Sequence, residues 1–527
     1  MLKKLITALE SSKSKSSDSK KKKSGVSSFT PLNQDNQIVN LGDNSDWKLT
    51  LHNNNFLYGL SVDVVNNQGS NLFATAYFAI QVTGPLQFSG LSIPDQGVTS
   101  VIVTNISTVS NVPIVGSTFI ALQYDGVRSG YQQLELKIDS NGDLIVLAAF
   151  TGGITYYDGT SFITLSSLSG GINYNFILAK MTPVTTTGTQ VLWAVTKWIK
   201  RISAIGAQFS LGGADVYLTG TYSGTLSIIP ESSSTLPVST LNNDMFLLRI
   251  DTNGEIVWVR TTVKNPTGTG STGFIRGNSV TVSNDGNTLI VIGSFNESLV
   301  LSNESTGQTF QLINQFIPFN MWVAKYDTFG NVIWLMAPVS NFNPGTFASL
   351  TQSFLDGEQV ITGAGTDYYI TGTFMGSFTF GNQTIVSPDI EASPEIMLAK
   401  LVDTGPIGSV GTWSWAKNIT SDVPNSVPQS PHIAYINNEI FINFYGYGNT
   451  VFTDTIILPS TGTLNNYINL ISSSGVWGNS PTYVPGTIEN RSINIASGPS
   501  IDLTDPIYII GTQTVSNTVS GIYLLRM

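Results

Sequence analysis

Few residues in this chain could do chemistry. Among 527 residues there are two histidines, His52 and His432, and no cysteine. Either imidazole could act as a general base, but strand-like residues flank both and neither has an obvious partner, so each reads as an ordinary structural or surface histidine. The lack of cysteine excludes disulfide frameworks, thiolate metal sites and cysteine nucleophiles. Two histidines leave almost nothing for a histidine metal cluster or a His-relayed triad. Asp139-Ser140-Asn141-Gly142-Asp143 alternates oxygen ligands as a calcium loop does. It lacks the sixth-position glycine and the distal glutamate, and its relatives at Asp251 and Asp327 keep the turn while losing the carboxylates, so a hairpin turn is the better reading. Carboxylates from distant parts of the chain could meet for glycoside hydrolysis, yet nothing local signals such a pair. No phosphate-cradling glycine loop opens a helix. The sequence therefore assigns no catalytic, cofactor-binding or metal-ligating residue.

Charge is scarce too, and unevenly placed. Charged residues make up 11% of the chain and the net charge is −10, where an ordinary globular protein has roughly 25% charged residues. Residues 1–23 hold eight of the 24 basic residues and two of the 34 acidic ones, a net of +6. The rest of the chain has 16 basic and 32 acidic residues, a net of −16. Residues 1–44 thus read as a flexible Ser/Lys-rich arm on an acidic body. Leu2, Leu5, Ile6 and Leu9 share one face of a short amphipathic helix, and the lysines suit nucleic acid, anionic lipid or an acidic partner. The apolar stretch stops at Glu10, short of the ~7–15 residues of a secretory h-region. No apolar run approaches the ~20 residues of a transmembrane helix.

From residue 45 onward the texture is β: short alternating runs of Val, Ile, Thr, Tyr and Phe between Gly/Asn/Asp/Ser turns. The runs repeat. Asp215-Val-Tyr-Leu-Thr-Gly-Thr-Tyr222 matches Asp367-Tyr-Tyr-Ile-Thr-Gly-Thr-Phe374, with weaker copies placing Ala76, Ala148, Gly220, Gly293, Gly372, Phe444 and Gly511 at one position. The interval is about 72 residues. A small residue there suits a strand pressed against a neighbouring layer. A second strand type ends in a cation, as in Asn175–Lys180, Asp244–Arg249, Asn320–Lys325, Glu395–Lys400 and Gly521–Arg526, with Thr118–Gln123 and Asn466–Ile471 as degenerate copies. It runs through a glycine turn into a tryptophan strand at Trp258 and Trp334, and through other turns to Trp193, Trp413 and Trp477. This is a β-hairpin.

The ends of the repeat complement each other. After Arg526 there is no tryptophan strand, while Asp46-Trp47-Lys48-Leu49 is a tryptophan strand with nothing before it. Joining them closes a ring: an all-β, seven-bladed β-propeller over residues 45–527, its last blade completed by the terminal strands. Familiar blades take ~40–50 residues, so these should carry long loops or a fifth strand.

The combination of a strand ending Ala-Lys or Leu-Arg, an Asp and glycine turn, a tryptophan strand and Tyr-Ile-Thr-Gly-Thr-Phe resembles the SBBP-type β-propeller repeat. Residues 244–258, 320–334 and 367–374 carry the match best. Gln123 and Ile471 depart from it at the basic position, and Tyr131 stands where tryptophan is expected. The resemblance implies a surface or secreted bacterial protein, or one of a large DNA virus, and no shared catalytic set. Lys180, Arg249, Lys325, Lys400 and Arg526 would form a circle of positive charge unless each pairs with a nearby carboxylate, which is the simpler expectation. The tryptophans should pack between blades rather than form a lectin-like surface. Six Asn-x-Ser/Thr sites, at Asn105, Asn296, Asn303, Asn382, Asn418 and Asn490, are expected by chance in so Asn/Ser/Thr-rich a chain.

Two function classes survive. One is a non-catalytic structural or interaction protein, displayed on a virion or cell surface, tethered by its arm, contacting other proteins and able to self-assemble. The other is a carbohydrate-active or otherwise catalytic propeller with an axial site.

Overall fold

The computed structural model describes residues between 37 and 526, except for segments between strands, of which 230–242, 342–352 and 263–272 are the longest. The lysine-rich segment and its amphipathic face lie outside the described residues. Among those described there is strand, turn and bend but no helix, so the protein is all-β. The composition dictates this: β-branched and aromatic residues alternate with polar ones, which suits a pleated surface buried on one or both sides.

The strands form antiparallel four-strand meanders in chain order, each unit named here by its first residue. In the Gly206 unit, Gly206–Gly212, Asp215–Tyr222, Asp244–Ile250 and Ile256–Thr261 pair in sequence. The Ile275 unit repeats this with Ile275–Val282, Thr288–Phe295, Asn320–Asp327 and Val332–Met336. Phe354–Thr362, Asp367–Met375, Glu395–Val402 and Thr412–Ser421 form the Phe354 unit. The Gln429 unit is Gln429–Ile436, Glu439–Gly446, Asn465–Ser472 and Thr482–Val484. Earlier in the chain, the Leu57 unit (Leu57–Val65, Thr75–Thr83, Thr99–Val109, Val112–Tyr124) and the Leu134 unit (Leu134–Ile138, Leu144–Phe150, Tyr174–Thr185, Val191–Ala204) join in one larger sheet. The Glu489 unit takes Glu489–Ser497, Ile507–Ser516 and Val519–Arg526 from the end of the chain and Trp47–Asn53 from its beginning, with Trp47 opposite Arg526.

The sheets pack face to face. One core cluster joins the Leu57 and Leu134 units through Val101, Leu122, Leu136 and Ile177, and another joins the Leu134 and Gly206 units through Leu147, Phe176, Leu218 and Phe246. Further clusters join Gly206 to Ile275, Ile275 to Phe354, and Phe354 to Gln429.

The expected extra strands are present, and several are lent to a neighbour. Gly153–Tyr157, inserted after the second strand of the Leu134 unit, pairs with Val112–Tyr124 of the preceding unit. Ser227–Ile229 pairs likewise with Val191–Ala204, and Thr450–Thr453 with Thr412–Ser421. Gln37–Asn40 covers Trp47–Asn53 in the same way. Each cover removes an exposed sheet edge that would invite another chain.

Three sequence assignments need correction. Thr118–Gln123 lies in the fourth strand of its unit, and the third strand is Thr99–Val109. Both are apolar and neither carries the marker cation, so the pattern could not separate them. The residues opposite Lys180 and Lys400 are Trp198 and Trp415, not Trp193 and Trp413. The small position also has a different cause. First strands bulge at Gly277/Ser279 and Gly357/Gln359, opposite Gly293 and Gly372. A Cβ on Gly293 would lie 1.8 Å from the carbonyl oxygen of Arg276, and on Gly372 1.9 Å from that of Asp356. The obstruction is the bulged strand of the same sheet, not a neighbouring layer. By this register the bulge of the Leu57 unit, at Gly59/Ser61, faces Ile80 rather than Ala76.

Gly293→Ala and Gly372→Ala should each destabilise the protein by roughly 1–3 kcal/mol in denaturant unfolding. Gly126→Ala, where nothing lies within 4 Å of the added carbon, should be close to neutral.

Candidate functional site

The marked cations and tryptophans serve contacts between units. Thr328 O, in the hairpin turn of the Ile275 unit, accepts from Trp258 Nε1 at 3.0 Å and Arg249 Nη1 at 3.1 Å, both of the preceding unit. Ser473 O accepts from Trp415 Nε1 at 3.0 Å and Lys400 Nζ at 3.2 Å, and Thr252 O accepts from Trp198 Nε1 at 3.2 Å. The turn glycines Gly254, Gly330 and Gly475 have φ of +87°, +82° and +84°. Their missing side chains also make room for the rings of Trp198, Trp258 and Trp415. The indoles are buried between units, as the packing reading expects.

Each described cation of this set also meets a carboxylate. Arg249 Nη2 lies 2.6 Å from Asp215 Oδ2, Lys400 Nζ 2.7 Å from Asp367 Oδ2, and Lys325 pairs with Asp403 of the next unit. Lys180 Nζ sits 2.5 Å from Asp139 Oδ2 and 3.3 Å from Asp143 Oδ2. The ammonium thus holds both carboxylates of the calcium-like segment, while Asp139 Oδ1 accepts the N–H groups of Asn141 and Asp143, each at 2.9 Å. It is a hairpin turn. The side chains of Arg526 and His52 lie outside the described residues.

The site that sequence reasoning missed is where the first strands converge. A cavity of about 460 Å³ is walled by first-strand residues of every unit, from Val62, Glu135, Gln208 and Thr281 to Glu358, His432 and Ile495. An exposed first-strand edge has unpaired N–H groups, and side chains of the preceding unit fill them. Leu136 N–H donates to Ser61 Oγ (3.1 Å), Ile138 N–H to Asp63 Oδ2 (2.7 Å) and Phe209 N–H to Glu135 Oε2 (3.2 Å). Val280 N–H donates to Gln208 Oε1 (2.7 Å), Val360 N–H to Ser279 Oγ (3.2 Å) and Ile433 N–H to Gln359 Oε1 (2.7 Å). A signal existed: Ser61, Gln208, Ser279 and Gln359 each stand two residues after a glycine (Gly59, Gly206, Gly277, Gly357).

Burial tunes the acids here. It pushes Asp63 up to about 6 despite the Ile138 N–H, and Glu358 up to about 7 with help from the neighbouring Asp356 charge. Asp356 is itself raised by burial, against the pull of Arg276. Burial also lowers His432 to about 4. His432 therefore stays neutral, and no hydrogen bond or ion pair to it occurs among the described residues, so it lacks the oriented partner of a general base.

A second space of about 500 Å³ opens where the first strands begin, lined by Gly206, Thr221, Asn243, Arg276, Asn278, Asp356 and Glu358 among others. Asn278 Nδ2 donates to Asp356 Oδ1 at 2.7 Å, Arg276 Nη1 is 3.9 Å from Asp356 Oδ2, and Thr373 Oγ1 donates to Glu358 Oε1 at 2.9 Å. Both carboxylates lining this space, Asp356 and Glu358, come from one strand, and Asp356 meets the amide of Asn278 and the guanidinium of Arg276 from the preceding unit. Among the described residues no group of three or more acids or imidazoles is placed to hold a metal ion.

No family model matches this chain, and no curated protein does. Among solved structures it is similar to the subtype N10 neuraminidase-like protein of A/little yellow-shouldered bat/Guatemala/060/2010, at 10% identity and a TM-score of 0.28, over 78% of this chain and 95% of that one. Another is Saccharomyces cerevisiae Dbp5 bound to Nup159, Gle1, IP6 and ADP, at 10% identity and a TM-score of 0.29, over 89% of this chain and 99% of that one. Both scores fall below the level that defines a shared fold.

Stability should depend on these groups with a definite sign. Raised acids (Asp63, Glu358 and Asp244, the last also near 6 through burial) take up protons on folding between their unfolded and folded values. Their contribution is present at low pH and lost as pH rises through about 6 to 7. His432 acts oppositely, with stability lost as pH falls from its unfolded value towards about 4. Three acids outweigh one imidazole. The urea midpoint should therefore be higher near pH 5 than near pH 8, and Glu358→Gln should reduce that difference. A midpoint that falls steadily from pH 8 to pH 5 would contradict the assignment.

Proposed function

We propose that the chain is a seven-bladed β-propeller acting as a non-catalytic interaction scaffold, displayed on a virion or cell surface and tethered through its basic arm. The observation that carries this reading is the cavity walled by first strands of every unit, together with the pairing of Trp47–Asn53 with Val519–Arg526. Polar side chains that reach this axis are largely engaged in holding the next strand's edge. That is the use expected of a rigid disc rather than of a reaction centre. A charge content of 11% and a composition rich in Ser, Thr and Asn suit contact with other proteins or with further copies of the chain.

The +6 segment supplies the tether, drawn to phosphate, anionic lipid or an acidic partner. Deleting residues 1–24 should leave the body folded, with an unchanged unfolding midpoint, and should abolish co-sedimentation with the native particle or envelope at low salt. Co-sedimentation that persists after deletion would refute the tether.

A further inference from the structure

We infer that the space at the start of the first strands binds a neutral saccharide, held by Arg276, Asn278, Asp356 and Glu358. This goes beyond the scaffold reading and does not rest on the tether.

The groups there are only partly used by the protein. The Arg276 side chain is 42% exposed; its guanidinium stacks 4.7 Å from the centre of the Phe274 ring and meets only Asp356, at 3.9 Å. Its N–H donors otherwise have no partner among the described residues. Glu358 uses Oε1 for Thr373 and leaves Oε2 open. Asn278 spends its Nδ2 donors on Asp356 Oδ1 and Gly357 O, each at 2.7 Å, and so orients Asp356, whose Oδ2 turns towards Arg276. Donors and acceptors therefore face the same space, whose volume of about 500 Å³ is within the range of small-molecule sites, ~300–1,000 Å³.

The charges narrow the ligand. A cation would meet Arg276, and an anion would meet two carboxylates. What fits both is a neutral molecule that accepts from the guanidinium while donating hydroxyls to the carboxylates. Beside Arg276 the half-buried rings of Phe274, Phe319 and Phe354 form a row, with centroids 5.7 and 4.8 Å apart. These rings pack on one another and, through Phe274, under the Arg276 guanidinium, so they hold Arg276 at the edge of the space rather than line it. Gly206 completes the site: nothing lies within 4 Å of where its Cβ would be, so a side chain there would enter open space.

The test is titration of the full chain with maltotriose, cellotriose and chitotriose to about 10 mM, read by calorimetry or by NMR shifts, with N-acetylneuraminic acid and lysine as charged comparators. At least one trisaccharide should bind, and Arg276→Ala and Asn278→Ala should each weaken it about tenfold or more. Gly206→Val should abolish binding with the unfolding midpoint kept, which covers the case in which an axial variant folds poorly. The inference is overturned if no trisaccharide binds, if only a charged comparator binds, or if binding survives both Arg276→Ala and Gly206→Val. Such a failure leaves the scaffold reading intact, because that reading is judged by particle association.

Discussion

The architecture depends on a turn carbonyl that receives two donors from the preceding unit. Thr328 O takes Trp258 and Arg249; Ser473 O takes Trp415 and Lys400. A neutral hydrogen bond contributes about 1 kcal/mol net and one to a charged group about 1.5–3 kcal/mol. Several such contacts on top of the shared apolar faces make each unit dependent on the next. These half-buried cations are each met by a counter-ion, Asp215 for Arg249 and Asp367 for Lys400, as Asp403 serves Lys325. The turn glycine is required twice, by its positive φ and by the indole beneath it. Trp334 marks the limit of the device: it is buried, but its Nε1 has no partner among the described residues.

On the opposite side of each sheet, the first strands solve a different problem. Their free edges are satisfied by Ser61, Asp63, Glu135, Gln208, Ser279 and Gln359 from the unit before. Carboxylates at this depth lose hydration, and so Asp63 and Glu358 titrate well above their ordinary range. The chemistry gathered where the first strands converge is thus a by-product of closing strand edges. Where the strands begin, Arg276, Asp356 and Glu358 retain unused hydrogen-bonding capacity.

Much of this was legible in the residues. Cation and tryptophan strands are marked by residues that cannot be moved without losing a buried partner, so Asp244–Arg249, Asn320–Lys325 and Glu395–Lys400 fall in third strands as the pattern requires. Where the marker is missing the pattern failed: Thr118–Gln123 has no cation and is a fourth strand. The extended strand Val191–Ala204 carries both Trp193 and Trp198, and its register sets Trp198 opposite Lys180 and Trp193 opposite Pro183. First strands carry only a faint mark, a polar residue two positions after a glycine, because their polar residues serve partners some 72–81 residues away in sequence. No local periodicity records a contact of that kind, and neither these acids nor Arg276 could be assigned beforehand.

A set of such contacts, each handing one unit to the next, is complete only if the last unit meets the first. Leu49 and Leu524 are directly opposed where the terminal strands pair, at a separation compatible with a disulfide. The native chain has no cysteine, so Leu49→Cys/Leu524→Cys introduces a single defined pair. A closed ring predicts an intramolecular disulfide under mild oxidation and a raised unfolding temperature that falls back on reduction. Absence of the bond, or its formation only between chains, would contradict closure.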